Sequence, residues 1–139
     1  MRTRAGSRRW ASAVLTGTSL LVLSACGGSS SHSSDVVACR SVVADLHKVA
    51  TAFTTITTKP REFASSEPGL SGSLQADVKN VGNDSLKLVV EDFAAHLKSV
   101  GQALGAGKPP SAADATAFGA DAQKINGFCT AAGVPATTK

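Results

Sequence analysis

Tyrosine is absent from this chain, and its single tryptophan, Trp10, falls in the first ten residues. The other aromatics are five Phe, four of them at core-like positions in the patterns below. A sugar-stacking platform or a base-stacking sheet draws on Trp and Tyr, so neither is expected. Charge is scarce, at 17% of residues, and basic charge on the main part of the chain is scarcer. Of the fourteen Lys and Arg, four (Arg2, Arg4, Arg8 and Arg9) precede residue 10, which leaves ten against ten Asp and Glu. The net charge of +4 and the isoelectric point near 9.2 therefore belong to the start of the chain. Nucleic-acid binding needs positive charge on the folded part, and no nucleic-acid partner is expected. No stretch alternates apolar and polar residues with a sustained period of two, so no sheet is expected. What remains is a globular composition: 42% hydrophobic, with thirteen Gly and five Pro in 139 residues, enough for one domain.

Residues 11–23 form an uncharged, mostly apolar run behind the four Arg. A bilayer span takes about 20 apolar residues, so this run is better read as the core of an export signal behind a positive n-region. It ends at Leu23-Ser24-Ala25-Cys26. An aliphatic residue, two small residues and a Cys, in that order behind a basic and an apolar segment, resemble the lipobox of bacterial lipoprotein precursors. The resemblance covers the leader only. It implies that Cys26 takes a diacylglyceryl group through a thioether and that lipoprotein-processing enzymes act on the chain. It also implies that a signal peptidase cuts between Ala25 and Cys26, so that lipidated Cys26 anchors the protein to the extracytoplasmic face of the cell membrane. Two acyl chains anchor stably where one is marginal. Ser7-Arg8-Arg9-Trp10 carries twin arginines, but the Ala-Ser-Ala that follows departs from a twin-arginine signal, and Sec export is the expected route. The abundance of Ala with few Ile resembles small secreted chains of actinobacteria. Residues 1–25 thus read as a signal peptide and 26–34 as the lipidated Cys with a flexible Gly/Ser tether. His32, alone in the tether, is no metal site.

The rest reads as helices. Cys39, Val42, Val43, Leu46, Val49, Phe53 and Ile56 fall at the three-and-four spacing of one helix face, and Ser34 or Asp35 can cap the start. A first helix is expected over 35–57. Pro60 and Pro68 mark 59–69 as a connecting loop. Leu70, Leu74, Val78 and Val81 form a shorter stripe that stops at Gly82-Asn83. From Asp84 or Ser85 the stripe resumes with Leu86, Val89, Val90, Phe93, Leu97, Val100 and Leu104; the stripes alone leave open whether 70–104 is two helices or one kinked helix. Gly101, Gly105 and Gly107 are expected to mark a fraying helix end. Ser111, with Asp114 three residues on, opens a last helix whose stripe is Ala115, Phe118, Ala122, Ile125 and Cys129, with Phe128 beside it. Gly119 and Gly127 are expected where a neighbouring helix packs closely, and Gly133 and Pro135 stop the helix.

Cys39 and Cys129 remain once Cys26 is lipidated, and an exported chain with two such Cys is expected to pair them. Cys39 lies in the first turns of the first helix and Cys129 near the end of the last. In a three-helix up-down-up arrangement they would sit a helix length apart, roughly 30 Å, whereas bridged Cα atoms lie within about 7 Å. An even number of helices brings them together. The competing readings are two buried thiols and a redox pair, the latter without a Cys-x-x-Cys to support it. The expected fold is therefore all-α: a small four-helix up-down-up-down bundle over 35–133 closed by one disulfide, with 134–139 as a tail.

Candidate chemistry is sparse. His47 and His96 flank the apolar stripes. Asp92 and His96 lie four apart on one face with Glu91 adjoining, and an Asp92–His96 pair on a solvated face is expected. A metal centre needs three or four converging ligands, and none is expected. No Ser or Thr sits in a recognisable nucleophile turn, so neither enzyme activity nor a cofactor is expected. The expected role is that of a monomeric, non-enzymatic cell-envelope protein that binds an unknown envelope protein or plays a structural part. The alternative is a tethered module that holds an apolar or haem-like molecule between its helices. A pocket above about 300 Å³ would favour the ligand; a filled core with one exposed apolar patch would favour the partner. The leader generates the first test. Cys26→Ser should abolish acyl labelling and release the protein from the membrane fraction; a variant that still labels and sediments with membranes would contradict the lipobox reading.

Overall fold

In the computed structural model, residues 29–136 are described. The leader, Ala25, Cys26 and residues 137–139 lie outside them. Four helices follow one another: α1 Ser29–Phe53, α2 Pro60–Val78, α3 Asp84–Gly105 and α4 Ala112–Ala131. Short loops join them, which makes sequence neighbours antiparallel. Each helix packs on the next and α4 returns to α1; the α2–α3 seam is the most extensive and the α1–α4 seam the least. Residues 70–104 are thus parts of two helices, separated at Gly82 and Asn83.

The stripes supply the core. Cys39, Val42, Val43, Leu46 and Val49 are buried on α1, and Leu86, Val90, Phe93, Leu97, Val100 and Leu104 on α3. Asn83 caps α3: its side-chain oxygen accepts from the Leu86 N–H at 3.0 Å, which satisfies one of the donors a helix start leaves open. Ser111 caps α4 in the same way, accepting from the Asp114 N–H at 3.0 Å. Both α3 and α4 end in Schellman motifs that require a left-handed residue. Gly107 has φ 71° and Gly133 φ 87°, and the following N–H groups close on Ala103 O at 2.9 Å and Cys129 O at 2.8 Å. The second closure also buries Val134 beside Cys129, so the chain past residue 133 begins inside the bundle.

Three expectations need correction. First, 59–69 is not a loop, because α2 begins at Pro60. Pro at a helix start sacrifices an N–H that has no partner there and supplies a helical φ, and Lys59 and Glu62 pair at 2.9 Å across that first turn. Pro68 lies inside the helix, where it removes one hydrogen bond. The burial of Phe63 on one side of it and Leu74 and Val78 on the other holds the helix through the defect. Second, α1 runs Ser29–Phe53 rather than over 35–57, so residues 29–34, expected in the flexible tether, are helical and the β-branched residues 54–58 form turns. Extending a nucleated helix by a few residues is inexpensive even for Ser. Asp35 does not cap α1; its Oδ1 accepts from the N–H groups of Gly82 at 2.9 Å and Asn83 at 3.1 Å, tying α1 to the α2–α3 loop. Third, the glycine roles are exchanged. Gly119 and Gly127 have no heavy atom within 4 Å of where a Cβ would stand, whereas a Cβ on Gly101 would lie 2.5 Å from Cγ of Glu67. Gly101 is a buried contact point in mid-α3, not part of a fraying end.

Cys39 and Cys129 are both buried and bonded, with Cα atoms 5.3 Å apart and 90 residues between them in sequence. The closed loop is worth roughly 4–5 kcal/mol in the chain-entropy description. Reduction, Cys39→Ala and Cys129→Ala should each lower the melting temperature by on the order of 10–20 °C. The double variant should add little to either single one, since one bond is lost in every case. Two reactive thiols per denatured chain, without prior reduction, would contradict the bridge.

Candidate functional site

Along α4 the inward positions are Phe118, Ala122, Ile125 and Cys129. Between Phe118 and Ile125 the one apolar side chain of α4 packed against the core is the Ala122 methyl. The disulfide fixes one end of this seam. At the other, Phe53, Phe93 and Phe118 stack, with centroids 4.7 Å apart for Phe53–Phe118 and 4.5 Å for Phe93–Phe118. Phe63 meets the edge of Phe53 at 4.8 Å. Between the two fixed ends lies an apolar cleft of about 400 Å³. Leu46, Val49 and Phe53 of α1 form one wall, Phe118 and Ala122 of α4 the other, and Phe93 of α3 contributes from below. Thr54 and Asn126 are its polar members; the Thr54 hydroxyl donates to Thr51 O at 2.7 Å, and the Asn126 Oδ1 is buried without a hydrogen-bond partner. A buried amide oxygen left unpaired is destabilising, and the residue that carries it lines the cleft.

The α3–α4 seam is polar and closed. His96 Nδ1 stands 2.9 Å from Asp121 Oδ2; a carboxylate only accepts, so Nδ1 carries the proton. Lys124 donates to the other Asp121 oxygen at 3.1 Å. One turn away, the Ser99 and Ser111 hydroxyls donate to Asp114 Oδ2 at 2.9 and 2.7 Å. Those two hydrogen bonds, Ser111 first, hold the Asp114 carboxyl below its ordinary value. The partner of His96 is therefore Asp121 and not Asp92, which is exposed. A residue four positions away competes poorly with one presented by a neighbouring helix that also supplies Lys124. His47 and Glu91 are exposed as well. Among the described residues no three His, Cys, Asp or Glu side chains converge as a metal site would require.

Between α1 and α2, Asp45 is buried and accepts from Lys48 at 2.7 Å through Oδ1, while its Oδ2 has no partner. Asp77 faces it. Burial first, and then the charge of Asp45, push the Asp77 carboxyl above its ordinary value of 3.8.

Asn126, Asp45 and Glu67 each interrupt an apolar stripe, and that interruption was the available signal. Asp45 lies between Val42 and Leu46, Asn126 four residues past Ala122, and Glu67 four past Phe63. Glu67 stayed hidden because its segment reads as loop. No family model, curated protein or solved structure matches the chain.

The acid pair generates a pH prediction. Folded Asp77 keeps its proton to a higher pH than the unfolded chain does, so the folded state binds more protons in that window. Its contribution is present below the ordinary carboxylate value and is lost as pH rises through the raised one. Asp77→Asn should gain stability relative to the native sequence as pH climbs from about 4 to 7. Urea midpoints measured across that range check it; a constant difference between the two proteins would contradict the assignment.

Proposed function

We propose that the chain is a lipid-anchored extracytoplasmic protein that binds a small, mostly apolar molecule in the α1–α4 cleft, without catalysing a reaction on it. The observation that carries this reading is a cleft of about 400 Å³ with mostly apolar walls and, on its lining residue Asn126, an acceptor oxygen without a partner. That combination is what small-molecule sites use: apolar burial for affinity and a few placed polar groups for orientation. The ligand this chemistry fits is an amphiphile with one N–H or O–H donor set against an aliphatic or aromatic body. The walls offer no His, Cys or Met to ligate iron, so an organic molecule fits better than a haem-like one. They offer no acid or base either, and the Thr54 hydroxyl is committed to Thr51 O, so the chemistry available is burial plus hydrogen bonding.

The partner-binding reading finds less support. Val37 and Leu88 are the large hydrophobics left exposed among the described residues, one on α1 and one on α3. Single exposed apolar side chains are ordinary. No described helix is long and apolar enough to cross a membrane, so the reading relies on the lipobox for its anchor.

The test is a titration of the mature chain with 8-anilinonaphthalene-1-sulfonate, alongside mass spectrometry of small molecules that co-purify. Ala122→Phe fills the cleft from α4 and should weaken probe binding at least tenfold while the melting temperature stays near that of the native chain. Unchanged probe affinity in a folded Ala122→Phe protein would overturn the cleft as the binding site.

A further inference from the structure

On the far side of the bundle from that cleft, the α2–α3 seam contains a second groove of about 480 Å³. Its distinguishing side chain is Glu67. This residue sits on the inner stripe of α2 with Phe63, Ser71, Leu74 and Val78 and is only 5% exposed. Its Oε1 is buried and accepts no hydrogen bond. The ion pairs among the described residues join Lys48 to Asp45, Lys59 to Glu62, and His96 and Lys124 to Asp121; none reaches Glu67. A carboxylate is rarely buried unless it is paired.

The facing helix is shaped around this side chain. A Cβ on Gly101 would lie 2.5 Å from Glu67 Cγ and 2.8 Å from its Cβ, so only glycine at 101 lets the side chain lie where it does. One turn on, Gly105 faces the Ala64 methyl at 3.6 Å. These small residues leave open the groove that Glu67, Ala64, Ser71 and Gly101 line. Pro68 adds a second acceptor. It has no N–H to give the carbonyl of Ala64, four residues earlier, so that oxygen lacks its usual helical donor. Ser71 spends its hydroxyl proton on Pro68 O at 3.4 Å, which leaves its oxygen lone pairs as acceptors. The polar groups that α2 contributes around Glu67 therefore accept, and the nearest α2 donor in the lining is the Gln75 amide, two turns along.

We propose that the α2–α3 groove is a binding site for an organic cation bearing N–H donors, a primary ammonium group, with Glu67 as its counter-ion and the Ala64 carbonyl and Ser71 oxygen as further acceptors. A divalent metal fits poorly, because one carboxylate cannot complete a hard-cation shell of six or more oxygens. An ammonium presents three donors on a compact charge, which matches three acceptors and one negative charge. Lys98 lines the mouth of the groove without pairing to Glu67. It sets a modest, salt-screened repulsion on the incoming cation. The site is separate from the α1–α4 cleft and stands or falls independently of it.

The experiment is an NMR titration of the mature chain with butylammonium chloride, followed at the Ser71 and Gly101 amides. Butanol and tetramethylammonium serve as controls, the first lacking the charge and the second the N–H donors. Saturable shifts are expected with butylammonium alone. Glu67→Gln keeps the size and shape of the side chain and should weaken binding at least tenfold, while Lys98→Ala should leave binding intact or tighter. Ala122→Phe should leave it unchanged, which separates this site from the cleft. The proposal is overturned if the native chain shows no saturable shift, if folded Glu67→Gln binds as well as the native chain, or if butanol or tetramethylammonium reproduces the shifts.

Discussion

One covalent bond fastens the first helix to the last, across the seam where side chains do least to hold them together. The Cys39–Cys129 bridge has to serve that seam because α4 is built from small residues. Ala and Gly occupy much of its length, and its deeply buried apolar side chains are only Ile125 and Cys129. A helix so thin in hydrocarbon contributes little burial. Two of the other three seams gain from α3, whose inner stripe from Leu86 to Leu104 is almost continuous. A constraint of roughly 4–5 kcal/mol is comparable to the whole net stability of a small domain, about 5–15 kcal/mol. Bridging across the weak seam allows the side chains there to remain incomplete. The α1–α4 cleft is what incompleteness at that place looks like.

The buried carboxylates follow a gradient of satisfaction. Asp121 has both oxygens engaged, by His96 and Lys124. Asp45 has one engaged and one free. Glu67 has no ion-pair partner and a buried oxygen with no hydrogen bond. Paired and hydrogen-bonded, a buried acid fixes the register of two helices, and His96–Asp121 does this for α3 on α4. Left unpaired, the same group costs several kcal/mol. A fold carries such a cost when something outside the chain offsets it.

How far the residues disclosed the fold depended on which signal dominated locally. Valines and leucines at three-and-four spacing announced α1 and α3, and the Ser111–Asp114 pair announced the start of α4, because those patterns arise from the burial and capping that the structure uses. The count of helices followed from Cys39 and Cys129, since a bridge is a statement about distance. The first ten residues of α2 were illegible for a physical reason. Pro60 and Pro68 act as breakers in isolation, and only tertiary burial of Phe63, Glu67 and Ser71 outweighs them. The glycines misled for a related reason. A glycine in a helix is costly, but whether that cost accompanies a close approach depends on the neighbouring helix, and it is α2 that gives Gly101 its neighbour. With α2 hidden, the Glu67 groove was hidden too. The cleft was partly in view: Phe53, Phe93, Phe118 and Ala122 were all placed on inward stripes, and only the gap between them was not.

The proposed anchor and the two proposed sites fit one geometry. The described part of α1 begins at Ser29, three positions after Cys26 in the sequence. At 1.5 Å per residue, Cys39 lies about 15 Å along the axis from Ser29, Leu46 about 25 Å and Phe53 about 36 Å. A lipid on Cys26 therefore puts the disulfide in the membrane-proximal half of the bundle. The aromatic end of the cleft falls in the distal half. Because α2 runs back from Pro60, Glu67 lies about 10 Å from that distal end, level with the cleft on the opposite seam. On that proposal the bridge and the Schellman turn at Gly133 would close the end nearest the lipid, where exposed apolar surface would adhere to the bilayer. The incomplete seam and the unpaired carboxylate would then be held where solutes outside the membrane reach them.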